Sequence, residues 1–149
     1  MPKIYLDACC LNRPFDDQSQ DRIRLESEAI LLILGHVERG DWEWVSSDVV
    51  TYELERAPDP ERRNQTGMLA RQASRVVRVT GEIQNRGGKL AQLGFGSYDA
   101  LHLAAAEDGR ADVFLTTDDR LLRLAWRMAH ELRIEVDNPL SWLQKAGER

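Results

Sequence analysis

The sequence predicts an α/β fold built on a parallel sheet, and three observations carry that reading. Short apolar stretches alternate with helical patterns along the chain, as they do in βαβ units. The first stretch, Lys3-Ile4-Tyr5-Leu6, suits a strand buried on both faces near the middle of such a sheet. It stops on a carboxylate, Asp7, and in open α/β sheets the carboxyl ends of the strands border the ligand crevice. At 149 residues the chain fits a single domain, residues 1–149, long enough for a sizeable core.

The elements follow in order. After Asp7, Arg13-Pro14-Phe15-Asp16-Asp17 reads as a polar loop. Asp21 to Arg39 is a helix with Ile23, Ile30, Leu34 and Val37 at helical spacing, ended by Gly40. Trp42-Glu43-Trp44-Val45 is rich in strand formers. Ser46-Ser47 then caps a helix through Glu55, with Asp48 at the positive end of its dipole. Ala57-Pro58-Asp59-Pro60 breaks the chain before a helix from Glu61 to Ser74 and a short strand over Val76 to Val79. From Thr80 to Leu93 a helical pattern is interrupted at Gly87-Gly88. Ser97 is expected to cap a helix ending at Gly109; Val113-Phe114-Leu115 is a strand running into Thr116-Thr117-Asp118-Asp119. Arg120 to Leu132 is a helix, Ile134-Glu135-Val136 the last strand, and Asn138-Pro139 a strong helix start. No internal repeat or linker interrupts this pattern.

Composition narrows the function classes. With 42% hydrophobic and 30% charged residues, the chain is a globular protein rather than a disordered one. No apolar run approaches the roughly 18–20 residues that span a bilayer, and the N-terminus lacks a signal peptide's basic and apolar regions, so the expected location is cytoplasmic, with no membrane partner. Cys9 and Cys10 are adjacent, which suits neither an unstrained disulfide nor a zinc-site spacing; two reduced, largely buried thiols are expected. The net charge of −5 argues against a non-specific nucleic-acid coat, but not against a nucleic-acid enzyme whose metal-binding carboxylates themselves lower the charge.

Four acidic positions share one context, at a strand end or near a helix start: Asp7, Glu53, Asp99 and Asp118, with Asp119 beside the last. Strand C-termini and the helix N-termini that follow them share one edge of a parallel sheet, so at least Asp7, Glu53 and Asp118 fall on one rim. Any one of them alone suits a cap or a solvated charge; the joint placement is what points to chemistry. Crowded carboxylates require a counter-charge, and oxygen ligands select hard divalent ions, Mg²⁺ or Mn²⁺. Such an ion activates water and neutralises a leaving oxygen, the chemistry of phosphodiester hydrolysis.

Four stretches, in order, carry a family likeness: Ile4-Tyr5-Leu6-Asp7, Ser47 to Leu54, Tyr98-Asp99-Ala100-Leu101-His102-Leu103-Ala104-Ala105-Ala106, and Leu115-Thr116-Thr117-Asp118. Together the chain resembles the PIN-domain family, which includes the ribonuclease toxins of VapBC-type toxin–antitoxin pairs. The resemblance implies a PIN-like, Rossmann-like three-layer fold with about five parallel strands in the order 3-2-1-4-5. It also implies an endoribonuclease dependent on Mg²⁺ or Mn²⁺, with RNA as substrate, an antitoxin as candidate partner, and a homodimer. Carried over by position, Asp7, Asp99 and Asp118 hold metal directly or through water, and Glu53 completes the acidic pocket. Asn12, Arg13, Thr116, Thr117 and Asp119 are candidates for substrate contact. The family commonly carries Thr or Ser after its first aspartate, whereas this chain has Ala8-Cys9-Cys10; Cys9 or backbone groups would have to replace the missing hydroxyl, and Thr116 and Thr117 are hydroxyl donors near Asp118.

Other residues have plainer readings. His102, three residues after Asp99 on the same helix face, suits a supporting role better than that of general base. Arg71, Arg75 and Arg78, with Arg56, Arg62 and Arg63 upstream, fit solvated helix charge better than a phosphate track. Trp42 and Trp44 suit core packing. Two alternative functions stand beside the nuclease. One is a catalytically weak or degenerate PIN-like domain that only binds RNA or protein. The other is a haloacid-dehalogenase-like phosphatase, which needs a second aspartate where this chain has Cys9.

Overall fold

The computed structural model describes residues 1–147. Strand β1 (Lys3–Leu6) leads into a short helix α1 (Ala8–Asn12), a 3₁₀ turn over Arg13–Phe15, and the long helix α2 (Asp21–Glu38). Then come β2 (Glu43–Ser47), α3 (Asp48–Glu55), α4 (Pro60–Ala70), β3 (Arg75–Val77), α5 (Gly81–Gln92) and α6 (Ser97–Asp108). The chain continues through β4 (Val113–Leu115), α7 (Asp119–Arg127), a 3₁₀ turn at Ala129–Glu131, β5 (Glu135–Asp137) and α8 (Pro139–Gly147). The five strands form one parallel sheet in the order β3-β2-β1-β4-β5, as expected, flanked by helices in a three-layer arrangement. No helix among the described residues is long and apolar enough to cross a membrane.

β1 is the axis of this sheet. Ile4, Tyr5 and Leu6 are fully buried, and they pair with Val113, Phe114 and Leu115 of β4. On its other side Lys3 and Ile4 pair with Glu43 and Trp44 of β2. The winding reverses at this strand: the chain first builds outward through β2 and β3, then returns to add β4 and β5. In such a sheet the crevice outside the strand ends at the reversal is the natural ligand site. Asp7 closes one side of that crevice and the Thr116–Asp118 segment closes the other.

Several local expectations shift for identifiable reasons. The loop after Asp7 turns helical at once, because the Asp7 carboxylate accepts the Ala8 N–H at 2.8 Å and caps α1. Ser46 and Ser47 belong to β2, although Ser47 still caps α3 by accepting the Val49 N–H at 3.1 Å. Helix α6 is entered from Gly96 rather than capped by Ser97, which is its first residue. The helix expected over Arg120–Leu132 is divided into α7 and the following 3₁₀ turn. Gly87-Gly88 does not interrupt α5. Gly87 is buried against α6, where a Cβ would lie 3.1 Å from Leu101 Cδ2, so glycine permits a close helix crossing there.

Gly109 serves the same end more strictly. A Cβ there would lie 2.7 Å from Val45 Cγ1 and 2.9 Å from Val77 Cγ2, so only glycine lets the end of α6 rest on β2 and β3. α6 carries both Asp99 and His102, and its seat on the sheet therefore sets their positions. Gly109→Ala is expected to destabilise the protein by about 1–3 kcal/mol, the usual cost of overpacking, measured as a lower urea midpoint with an unchanged m-value.

Candidate active site

Asp7 is buried (6% exposed) although charged, and its hydrogen bonds explain how it is tolerated. One carboxylate oxygen accepts the Ala8 N–H; the other accepts the Thr116 hydroxyl at 2.9 Å and faces the Cys9 thiol at 3.4 Å. Thr116 is itself placed by accepting the Asp118 N–H at 3.1 Å. The hydroxyl missing after Asp7 is thus supplied from across the sheet by β4's extension, and Cys9 adds its thiol beside it, 3.3 Å from Thr116 Oγ1. Cys10 turns inward onto the Leu115 carbonyl, and burial pushes its thiol well up. Both cysteines are free thiols, as expected.

Glu53 reaches the same crevice from the last turn of α3. Its carboxylate lies 2.7 Å from His102 Nε2, and that nitrogen is 3.6 Å from Asp7 Oδ1. His102 is fully buried, and its Nδ1 lies 2.7 Å from the Tyr5 hydroxyl, which is 2.6 Å from Ser47 Oγ. One proton arrangement satisfies the whole chain. Ser47 accepts the Val49 N–H and donates to Tyr5, Tyr5 donates to His102 Nδ1, and Nε2–H donates to Glu53. Burial holds the Tyr5 phenol well above its ordinary pKa despite the opposing Ser47 hydrogen bond, so it remains a donor. Burial works against a charged imidazole at His102, but the hydrogen bond to Glu53 and the charges of Asp7 and Glu53 outweigh it and raise its pKa.

Asp99 and Asp118 complete the rim. Asp118 is exposed and caps α7, accepting the N–H groups of Arg120 and Leu121. Asp99 stands half-buried in the first turn of α6. Burial, then the negative charges of Asp7 and Asp118, push its carboxyl up to about 6, with Glu53 adding to the effect and His102 opposing it. Asp99 therefore feels the other three expected acids. Asp99 and Asp118 also line a cleft of about 710 Å³ that runs out past Phe95 and Leu124 to Arg120 and Arg127.

The lesser candidates divide. Thr116 is at the centre of the site, and Thr117 is buried beside it with its hydroxyl unpartnered and its N–H on Cys9 Sγ. Asp119 is turned away, held in a two-bond pair with Arg22 at 2.7 Å. Arg13 is engaged by Asp16 and the buried Glu26, at 3.4 and 3.2 Å. Asn12 bonds the Ala8 carbonyl and accepts from Arg62. These three build the walls of the loop after β1. Tyr5 and Ser47 are the residues that sequence reasoning missed. The available signal was that a tyrosine in a strand buried on both faces must find a partner for its hydroxyl.

The donor chemistry fits a divalent cation. Asp7, Glu53 and His102 each offer a ligand atom within 4.8 Å of the others. Asp99 and Asp118 stand outside this compact set, and Asp99 feels the charges of Asp7, Asp118 and Glu53. The Asp99 carboxyl is raised first by burial and then by the negative charges of Asp7 and Asp118, which a cation would offset. His102 lies within the set, but its Nδ1 accepts from Tyr5 and its Nε2–H is donated to Glu53, so the carboxylate oxygens are what remains for a cation.

Comparison with protein families matches the PIN domain over residues 4–127, which takes in every residue of this site. The chain belongs to the PIN-domain family. Solved structures with the same PIN-domain architecture include VapBC2 from Rickettsia felis bound to a DNA fragment from its promoter. That structure is 13% identical, with a TM-score of 0.55, covering 91% of this chain and 98% of that one. VapBC-1 from nontypeable Haemophilus influenzae is 14% identical at a TM-score of 0.55, covering 92% and 98%. DNA-bound VapBC from Salmonella typhimurium is 20% identical at 0.54, covering 93% and 99%. At these identities the likeness is one of fold. No curated protein matches the sequence.

Two measurements probe the site without activity. Tyr5→Phe breaks the buried chain at both ends and is expected to cost about 1–3 kcal/mol, the penalty for stranding buried polar groups, read from urea denaturation. Asp99→Asn should melt above the unsubstituted protein near neutral pH in the presence of chelator. A carboxyl whose pKa is raised from 3.8 to about 6 on folding favours the native state when protonated and loses that advantage as pH rises through 6. The difference should close below about pH 4; a constant difference across that range rejects the charge-crowding account.

Proposed function

We propose that this PIN domain is a Mg²⁺- or Mn²⁺-dependent endoribonuclease, the toxin of a type II toxin–antitoxin pair of the VapC type. The observation that carries the reading is the gathering of four carboxylates at the sheet's reversal point, one of them buried and another with its pKa raised to about 6 by burial and then by the charges of Asp7 and Asp118. Asp7 and Glu53 would hold the ion, with Asp99 and Asp118 around it, directly or through water, and His102 would orient Glu53 through its Nε2–H. When bound, the ion supplies Lewis-acid stabilisation of the phosphate and lowers the pKa of a coordinated water.

The chain's own residues do the rest. Thr116, Cys9 and the Ala8 N–H fix the Asp7 carboxylate so that no reorganisation is needed when charge arrives. The Ser47–Tyr5–His102 chain fixes the Glu53 carboxylate in the same way. Asp99, in the first turn of α6, adds its carboxylate to the crevice charge that the ion would neutralise. The cleft running to Arg120 and Arg127 offers a path for the substrate backbone. The work belongs in the cytoplasm, where the RNA is; the VapBC likeness supports an antitoxin partner, and a homodimer is what the family resemblance implies.

The test is cleavage of labelled single-stranded RNA with Mn²⁺ or Mg²⁺. Chelator and Asp7→Asn should each reduce cleavage to background. Thr116→Val should lower it by about 10–100-fold, the usual cost of losing a partner to a metal ligand. Equal rates for the unsubstituted protein, Asp7→Asn and Asp99→Asn reject the assignment. Co-expression with the product of an adjacent small reading frame should yield a stable, inactive complex.

A further inference from the structure

Each of two acids at the crevice is preceded by an exposed tyrosine: Tyr52 before Glu53 on α3, and Tyr98 before Asp99 on α6. One step along a helix turns a side chain by about 100°, so an element that aims an acid inward presents its neighbour at the lip. The two rings are 48% and 43% exposed, large values for aromatic side chains on a small protein. Their centroids are 5.9 Å apart and their planes 33° from parallel. Arg56, one turn on from Tyr52, lies with its guanidinium carbon 5.2 Å from that ring's centroid and donates to its hydroxyl at 2.6 Å.

Three features give this cluster a ligand. It borders a cavity of about 450 Å³ whose lining includes both Glu53 and Asp99, so an occupant would be continuous with the acidic crevice. Arg56 has no carboxylate partner among the described residues, in contrast to Arg13, Arg22, Arg62 and Arg86, and so offers a free charge to a phosphate. Exposed aromatic rings beside a cation and a polar cleft are the elements of a single-strand nucleic-acid platform, where bases stack and the backbone is neutralised.

We infer that Tyr52, Tyr98 and Arg56 form a stacking subsite for a base of single-stranded RNA flanking the scissile phosphate at the acidic crevice. The inference rests on the ribonuclease reading and deepens it. The tyrosines position the strand and take no part in bond breaking; Arg56 binds the phosphate next along the chain. Stacking is tolerant of sequence because every base offers a π-face, so this subsite contributes affinity and register rather than base choice.

The test uses a short single-stranded RNA carrying 2-aminopurine, titrated in chelator so that binding is read without cleavage, with cleavage in Mn²⁺ read separately. The unsubstituted protein and the double variant Tyr52→Phe/Tyr98→Phe should bind alike and quench 2-aminopurine. Tyr52→Ala/Tyr98→Ala should bind about 10- to 100-fold more weakly, with KM raised and kcat nearly kept. Arg56→Gln should flatten the dependence of log affinity on log salt by about 0.7. Equal binding by the alanine variant, or no binding by the unsubstituted protein, overturns the subsite. So does a loss of affinity that tracks conversion of a dimer to monomers in sedimentation, which would make the tyrosines a contact between copies. Retained quenching with no cleavage overturns the nuclease reading and leaves the subsite standing; intact cleavage with equal binding does the reverse.

Discussion

The pairing of β1 with β4 is the constraint on which the rest of the molecule depends. It joins residues about a hundred positions apart in sequence and is the point at which the sheet reverses its winding. Because the strands are parallel, their carboxyl ends come out side by side. Asp7 and Thr116 then meet with a hydrogen bond that a shift of one residue in register would break. Every other site residue is delivered relative to this pair: Glu53 by a helix capped from β2, and Asp99 and His102 by a helix seated through Gly109 on β2 and β3.

Much of this was legible in the residues. The strand order followed from the family likeness, and the alternation of strand and helix from patterning alone. Asp7, Glu53 and Asp118 could be placed on one rim because helix starts and strand ends share an edge of any parallel sheet, and the family likeness added Asp99. What could not be read was which polar groups hold each acid. Thr116 was visible as a hydroxyl near Asp118, yet it serves Asp7, a contact decided by strand register rather than by distance along the chain. Asp119 and Arg13 looked like site residues because they adjoin the site in sequence. A helical turn of 100° per residue was enough to hand both to structural ion pairs. Gly87-Gly88 looked like a break because glycine weakens a helix, but packing against α6 outweighs that propensity.

The wall around the site is held by a different chemistry from its centre. Buried Glu26 sits between Arg13 and Arg22 and accepts from Asn138 at 2.6 Å, tying α2 to the entrance of α8. Arg62 on α4 reaches Asp16 at 3.1 Å, the Phe15 carbonyl and Asn12, and so pins the loop after β1. Arginine suits both tasks because its planar fork satisfies several acceptors at once. Compensated charge in the wall thus surrounds uncompensated charge in the crevice, and the contrast focuses the field on the place where a cation would sit.

The hydrogen bond from Thr116 to Asp7 also has a meaning in time. A ribosome releases the chain from its first residue, so Asp7 emerges early while its hydroxyl partner waits for 109 more residues. Until then β1 lacks a neighbour on one side, and Asp7 has neither Thr116 nor the Asp99 and Asp118 charges around it. No fragment short of β4 can assemble the crevice, because the fold forms as one unit across that long separation. The crevice is therefore completed only once the chain through β4 and Asp118 is free.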